Sequence, residues 1–144
     1  MTAFVDANVV VYARSEVEDE LGAGCREIIR AIGEGDLDAR TSVAVIEELL
    51  HLELRGRPPG LGGTTAEAYV LFTPLLAVTD EIVREALALD ASSLGANDRV
   101  HVATCRANGI ATIVSTDLGF DSAAGLQRVD PADAEAVAKL LQGD

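Results

Sequence analysis

Four acidic residues in this chain stand where a carboxylate needs a partner. Asp6 ends the apolar run "AFVDA", Asp117 follows the apolar run "ATIVST", Glu48 interrupts the apolar stretch "VIEELLHL", and Asp98 opens "NDRVHVATC". Carboxylates gathered at one place repel and raise one another's pKa. A hard divalent cation relieves that repulsion, and oxygen donors of this kind suit Mg²⁺ or Mn²⁺. Replacing Asp6 or Asp98 by asparagine is expected to remove a ligand while easing the repulsion. Each acid also has a plainer reading: Asp6 and Asp98 can cap helices, and Asp117 and Asp121 in "STDLGFD" can be turn residues, so the set carries more weight than any member. The pairs Glu48 and His51, and Asp98 and His101, have the acid-x-x-His spacing of di-iron sites. Those sites require an all-helical bundle with two further inward glutamates, so His51 and His101 read as supporting or packing residues.

The elements that must position these side chains alternate between strand and helix. Strands are expected at 3–7, 38–42, 74–78, 110–115 and 126–129. Helical periodicity covers 17–34, where Leu21, Cys25, Ile28, Ile29 and Ile32 share a face, then 43–55 behind the N-cap candidate Ser42, and also 64–72, 79–91 and 97–109. Asp80 and Glu81 favour the start of their helix, Gly109 suits a C′ position, and Asp130 followed by Pro131 reads as N-cap and first residue of a last helix. "GRPPGLGG" (56–63) is a loop. This pattern with short connections predicts an α/β fold, a three-layer sandwich in which a central parallel sheet has helices on both faces. Ligands of such sheets bind beyond the carboxyl ends of the strands, where strand order reverses. If the strands ending at Asp6 and before Asp117 are neighbours, their carboxylates converge there.

At 144 residues and 49% hydrophobic content, the chain supports one core, read as one domain over 1–144. Cys25 and Cys105 are far from any CxxC spacing and read as small buried apolar groups. No apolar run approaches the roughly 20 residues of a membrane span, and the N-terminus lacks the features of a secretory leader, so a cytoplasmic protein without membrane contact is expected. Acidic residues number 24 against 11 basic ones, for a net charge of -13, and Lys139 is the only lysine. A nucleic-acid binder is ordinarily basic. The same acidity suits the halophile-like case of a cytoplasm at molar salt, where the Debye length falls to about 3 Å and surface repulsion is screened.

"FVDANVVVYA", "TSVAVIEELLH", "NDRVHVATCRANG" and "TIVSTDLGFD" resemble, in order and spacing, the four acidic motifs of the PIN-domain nucleases, and most closely those of the VapC-like toxin ribonucleases. The resemblance covers nearly the whole chain. It implies a PIN-like fold and a metal-dependent endoribonuclease, with Asp6, Glu48, Asp98 and Asp117 as catalytic, metal-binding acids and Asn8 and Ser115 as orienting neighbours. Asp121 is a peripheral candidate. Glu47 rivals Glu48, but it lies about 100° away around the helix, and the separation of Glu48 from Ser42 matches the family. The resemblance further implies Mg²⁺ or Mn²⁺ as cofactor, RNA as substrate, a small antitoxin as partner, and a homodimer to which Tyr12 and Leu21 could contribute surface.

Arg14, Arg55, Arg57 and Arg99 are candidates for phosphate contacts, against the alternative of salt bridges with the abundant acids. Three other functions compete with the toxin: a housekeeping RNA-processing nuclease on the same fold, a catalytically inactive PIN binding module, and a phosphatase- or receiver-like phosphate-transfer domain. The inactive module would lack an acid. The phosphate-transfer domain would need Lys139 at its site.

Overall fold

A computed structural model describes residues 1–90 and 93–143. Four short strands, β1 (Ala3–Val5), β2 (Ala39–Arg40), β3 (Thr112–Val114) and β4 (Gln127–Val129), form one sheet in the order β2-β1-β3-β4. Every pairing is parallel: Ala3 lies opposite Ala39 and Thr112, Val5 opposite Val114, and Val114 opposite Val129. β1 and β3 are buried at every position, as strands covered on both faces must be. The chain leaves β1 toward β2 and returns to the other side of β1 as β3. Strand order therefore reverses between β1 and β3.

Among the described residues, seven α-helices surround the sheet: α1 (Ala7–Ala13), α2 (Glu20–Gly33), α3 (Val43–Arg55), α4 (Thr64–Phe72), α5 (Asp80–Ala88), α6 (Ala96–Ala107) and α7 (Ala134–Leu141). α2 packs on α1 and α7, while α6 packs on α5 and α3. Phe4, Val9, Ile28, Leu49, Val102, Ile113 and Phe120 are fully buried in the shared core. Cys25 and Cys105 join them as free thiols. Gly24 marks a close approach, because a Cβ there would lie 1.7 Å from the Pro131 carbonyl oxygen. Only a glycine lets α2 seat against the segment that enters α7.

Capping chemistry sets several boundaries. Ser42, Thr79 and Asp19 accept from the backbone N–H groups of Val45, Ile82 and Gly22. Asp19 thus starts α2 at Glu20, later than the periodicity from 17 suggests. β1 stops at Val5, since Asp6 already caps α1. Asp130 is not the cap of the last helix: it accepts from Ala132 in a local turn, while Asp133 accepts from Glu135 and Ala136 and starts α7. The expected strand at 74–78 reduces to a parallel bridge between Ser42 and Leu76, as suits an edge segment in which Pro74 has no N–H to donate. α5 ends at Ala88, and the remainder of the helix expected to 91 reaches beyond the described residues. Leu21, expected as interaction surface, is half-buried against the core, whereas Tyr12 is 40% exposed. Among the described residues, no helix is long and apolar enough to cross a membrane.

Candidate functional site

The β1/β3 switch point brings the early and late motifs together. Asp6, first residue after β1, is almost completely buried. Its Oδ1 accepts from the Ala7 N–H at 2.8 Å, and its Oδ2 accepts from the Ser115 hydroxyl at 2.7 Å and the Asn8 amide at 3.2 Å. Asn8 also donates to Ser115 Oγ at 3.2 Å and accepts from the Thr116 N–H at 3.3 Å, while Ser115 Oγ accepts from the Asp117 N–H at 3.0 Å. Asn8 and Ser115 thereby tie the end of β1 to the end of β3 and hold Asp6 in one rotamer. Burial raises the Asp6 pKa, with Glu48 repulsion adding to it, against the opposing effects of His101, Ser115 and Ala7.

Asp98, in the first turn of α6, and Asp117, cap of the 3₁₀ turn Leu118–Ser122, line the same cavity. Burial, the neighbouring Asp117 carboxyl and the charge of Asp6 push Asp98 up to about 7. The interaction with Asp98, the Gly119 N–H and nearby Arg128 lower Asp117. Of the two, Asp98 is the one that takes up a proton first as pH falls. Glu48 projects from α3 toward Asp6, and its Oε1 lies 3.3 Å from His101 Nε2, which is 3.6 Å from Asp6 Oδ1. Glu47 is exposed, turned away from this cluster as the helical geometry requires.

Asp6, Asn8, Glu48, Asp98 and Asp117 line one cavity of about 450 Å³, together with Tyr12 and Pro58 among others. Ligand atoms of Asp6, Glu48 and His101 all fall within 4.8 Å of one another. The donor set is mostly carboxylate oxygen and fits a hard divalent cation. The raised Asp98 pKa reflects the same crowding of carboxylates, which a bound cation would relieve.

Other candidates stand apart. Asp121 does not line the cavity; it pairs with Arg128 at 2.9 Å. Arg14 pairs with Glu67 at 2.7 Å and donates to the Gly62 carbonyl. Arg99 donates to the carbonyls of Leu94 and Leu89, a structural tie across the α5–α6 connection. Arg55 lines an adjoining cavity of about 580 Å³ that it shares with Glu47, Glu48 and His51. Arg57 is exposed beside Pro58, in the loop that reaches the acidic cavity. Lys139 is exposed on α7, near Glu135, and lines a cavity with β4 and α7 residues, so the phosphate-transfer alternative lacks its lysine at the acidic cluster.

Two residues gain weight from the structure. His101 is fully buried between Asp6 and Glu48; its three-residue offset from Asp98 was the visible signal. Arg128, its side chain 9% exposed, donates to the Ser115 carbonyl at 3.0 Å and reaches Asp121 and Asp130. Its only trace in the sequence is a lone charge in the strand "LQRV".

A family model described as the PIN domain matches residues 3–126. No curated protein shows significant sequence similarity to the chain. Among solved structures, the fold is similar to VapBC2 from Rickettsia felis bound to a promoter DNA fragment, at a TM-score of 0.66 and 13% identity over 89% of this chain and 97% of that one. It is also similar to Mycobacterium tuberculosis VapC20, a Sarcin-Ricin loop cleaving toxin, at a TM-score of 0.60 and 19% identity over 86% of this chain and 98% of that one. FitAcB from Neisseria gonorrhoeae gives a TM-score of 0.60 and 16% identity, over 90% of this chain and 97% of that one.

Proposed function

The chain belongs to the PIN-domain family, and on that premise we propose that it is a metal-dependent endoribonuclease, the toxin of a toxin–antitoxin pair in the manner of VapC. The observation that carries the reading is the convergence of Asp6, Glu48, Asp98 and Asp117 on one cavity at the β1/β3 switch point. The toxin assignment is supported by structural neighbours that include VapBC2, FitAcB and VapC20, the last a Sarcin-Ricin loop cleaving toxin.

Asp6, Glu48, Asp98 and Asp117 would hold the Mg²⁺ or Mn²⁺. When bound, the cation supplies a water of lowered pKa and stabilises charge on the leaving oxygen. The chain's own residues do the rest. Asn8, Ser115 and the Ala7 N–H keep the Asp6 carboxylate rigid, so little reorganisation accompanies the reaction. Asp98, whose pKa is pushed up to about 7 by burial and the neighbouring Asp117 carboxyl, would serve as a ligand in its deprotonated form. No protein nucleophile is required, and attack by water would leave a 5′-phosphate and a 3′-hydroxyl. Arg55 and Arg57, exposed near the cavity rim, are the arginines best placed for RNA phosphates. An antitoxin would close the site by presenting an arginine to these carboxylates, and half-exposed Tyr12 at the cavity edge would lie under such an arm or in a homodimer contact.

The test is RNA cleavage by purified protein in Mg²⁺ or Mn²⁺, lost on chelation and lost in Asp98→Asn. Turnover by that variant near the wild-type rate, with contaminating nuclease excluded, removes the metal-site assignment. Co-expression with the product of an adjacent short reading frame tests the partner: a complex with suppressed cleavage supports the toxin reading, and an isolated gene with a harmless product favours a housekeeping nuclease.

A further inference from the structure

Resting on the metal-nuclease reading above, we propose that His101 is a positioning residue that keeps its proton on Nε2 and holds Glu48 and Asp6 at the metal site, without itself becoming a ligand. Distance alone permits the opposite, since its Nε2 and the oxygens of Asp6 and Glu48 lie within 4.8 Å of one another, close enough to share one ion. The tautomer separates the two readings. A histidine that ligates through Nε2 carries its proton on Nδ1, and ligating histidines almost always donate that N–H to a carboxylate, a carbonyl or water.

His101 has no such acceptor. The ring is 0% exposed, and its Nδ1 has no hydrogen-bond partner among the described residues. Phe4 lies against the ring, with centroids 5.4 Å apart. A proton on Nδ1 would therefore be a buried, unmatched donor, which native structures rarely tolerate. The other nitrogen gives the same answer. Nε2 faces Glu48 Oε1 at 3.3 Å and Asp6 Oδ1 at 3.6 Å. A bare lone pair there would meet two oxygens that also offer only lone pairs, whereas an N–H meets acceptors on both sides. Placing the proton on Nε2 matches that nitrogen to its two facing oxygens and avoids an unmatched N–H at Nδ1.

The consequence falls mainly on Glu48. Asp6 is already fixed by Ala7, Asn8 and Ser115, but Glu48 has no hydrogen bond other than that to His101 among the described residues. A glutamate reaching in from α3 has several free torsions, and His101, one helical turn beyond Asp98 on α6, is the group that stops them. The sequence separation of Asp98 and His101 thus places one acid and the support of another on the same face of one helix.

The test reads the tautomer directly. In a His51→Gln variant, His101 is the only histidine, and long-range ¹⁵N–¹H correlation spectra report which ring nitrogen is protonated. With Mg²⁺ added to the protein, Nε2 is expected to remain protonated. A spectrum with Nδ1 protonated and Nε2 bare would make His101 a ligand and overturn the proposal. Variants supply the second measurement. His101→Leu is expected to raise the half-saturating Mg²⁺ concentration for RNA cleavage by about tenfold or more, the usual scale for losing an outer-shell partner, and His101→Gln, whose amide can donate from a similar place, to restore most of it. An unchanged Mg²⁺ dependence in folded His101→Leu also overturns the proposal. Absence of RNA cleavage in the wild-type protein, alongside the expected spectrum, would count against the nuclease reading alone.

Discussion

Asp98 and Asp117 line the same cavity and shift each other's pKa in opposite directions, although they belong to different motifs and different elements, one in the first turn of a helix and one after the central strand β3. Burial and the neighbouring Asp117 carboxyl push Asp98 up to about 7, while Asp117 is lowered.

This relationship gives the metal-free protein a defined pH dependence. The folded pKa of Asp98 lies above its unfolded value, so its contribution to stability is complete below about pH 4 and is lost as pH rises through about 7. Asp117 shifts the other way, and its contribution fades only as pH falls through the carboxylate range. Between these limits Asp98 acts in the same direction as Asp6 and His101, whose pKa values are also raised, Asp6 by burial and His101, despite its burial, by the facing Glu48 and Asp6 carboxylates. Because Asp98 is half-exposed, solvent screening reduces its effect to about 1 kcal/mol. Thermal melts of chelator-treated protein should fall between about pH 5 and about pH 8, and Asp98→Asn should make the fall smaller while abolishing RNA cleavage. A melting temperature that does not drop across this range, or a drop of undiminished size in Asp98→Asn, contradicts the coupling.

Asp6→Asn should behave differently. Both oxygens of Asp6 accept from donors, namely the Ala7 N–H on one side and the Ser115 hydroxyl and Asn8 amide on the other. An NH₂ group in either place faces a donor and leaves a buried group unmatched, at about 1–3 kcal/mol. Relief of repulsion, expected from the sequence for either aspartate, does not offset this at position 6. Denaturant unfolding of the metal-free variants should rank Asp98→Asn above wild type and Asp6→Asn below it, with neither cleaving RNA.

Gly24→Ala should destabilise the fold by about 1–3 kcal/mol or more, as overpacking against rigid backbone does, because the new methyl group would meet the Pro131 carbonyl oxygen. Alanine is the better helix former, so a helix-propensity argument predicts the opposite sign. Equilibrium unfolding separates the two.

The thiols should be inert in the native state. Burial pushes Cys25 and Cys105 up to about 12, so almost no thiolate exists at neutral pH. A disulfide-exchange reagent should react with neither until denaturant is added, and then with both. Prompt reaction of one equivalent would mean that α2 or α6 opens in the native state.

A net charge of -13 on 144 residues should make stability depend on salt. Raising monovalent salt from about 0.1 M to about 2 M should increase the melting temperature by screening surface repulsion. Divalent metal at low salt should recover part of the increase by binding the folded acidic cluster. A flat salt profile would remove the basis for the salt-adapted reading.

The sequence by itself determined the features that local chemistry controls. The apolar runs around Phe4 and Ile113 had to be buried strands, Ser42 and Thr79 had to start helices, and the alternation of the two periods required a parallel sheet. The four acids were legible because each interrupts or ends an apolar pattern. Tertiary structure decided what depends on partners distant in the chain. Asp130 and Asp133 are both good caps, and the folded chain uses the first in a local turn with Ala132 and the second to start α7. Residues 74–78 have the composition of a strand but find a single bridge at the edge of the sheet. Arg14 and Arg99 look alike in sequence to Arg55 and Arg57, yet only the former pair are drawn into contacts with Glu67 and with backbone carbonyls. The coupling of Asp98 to Asp117, the burial of His101 against two carboxylates, and the reach of Arg128 to Ser115 have the same origin. Hydrogen bonds and burial depend on distances across the fold, and the β1/β3 reversal brings residues about a hundred positions apart in the chain to one edge of the sheet.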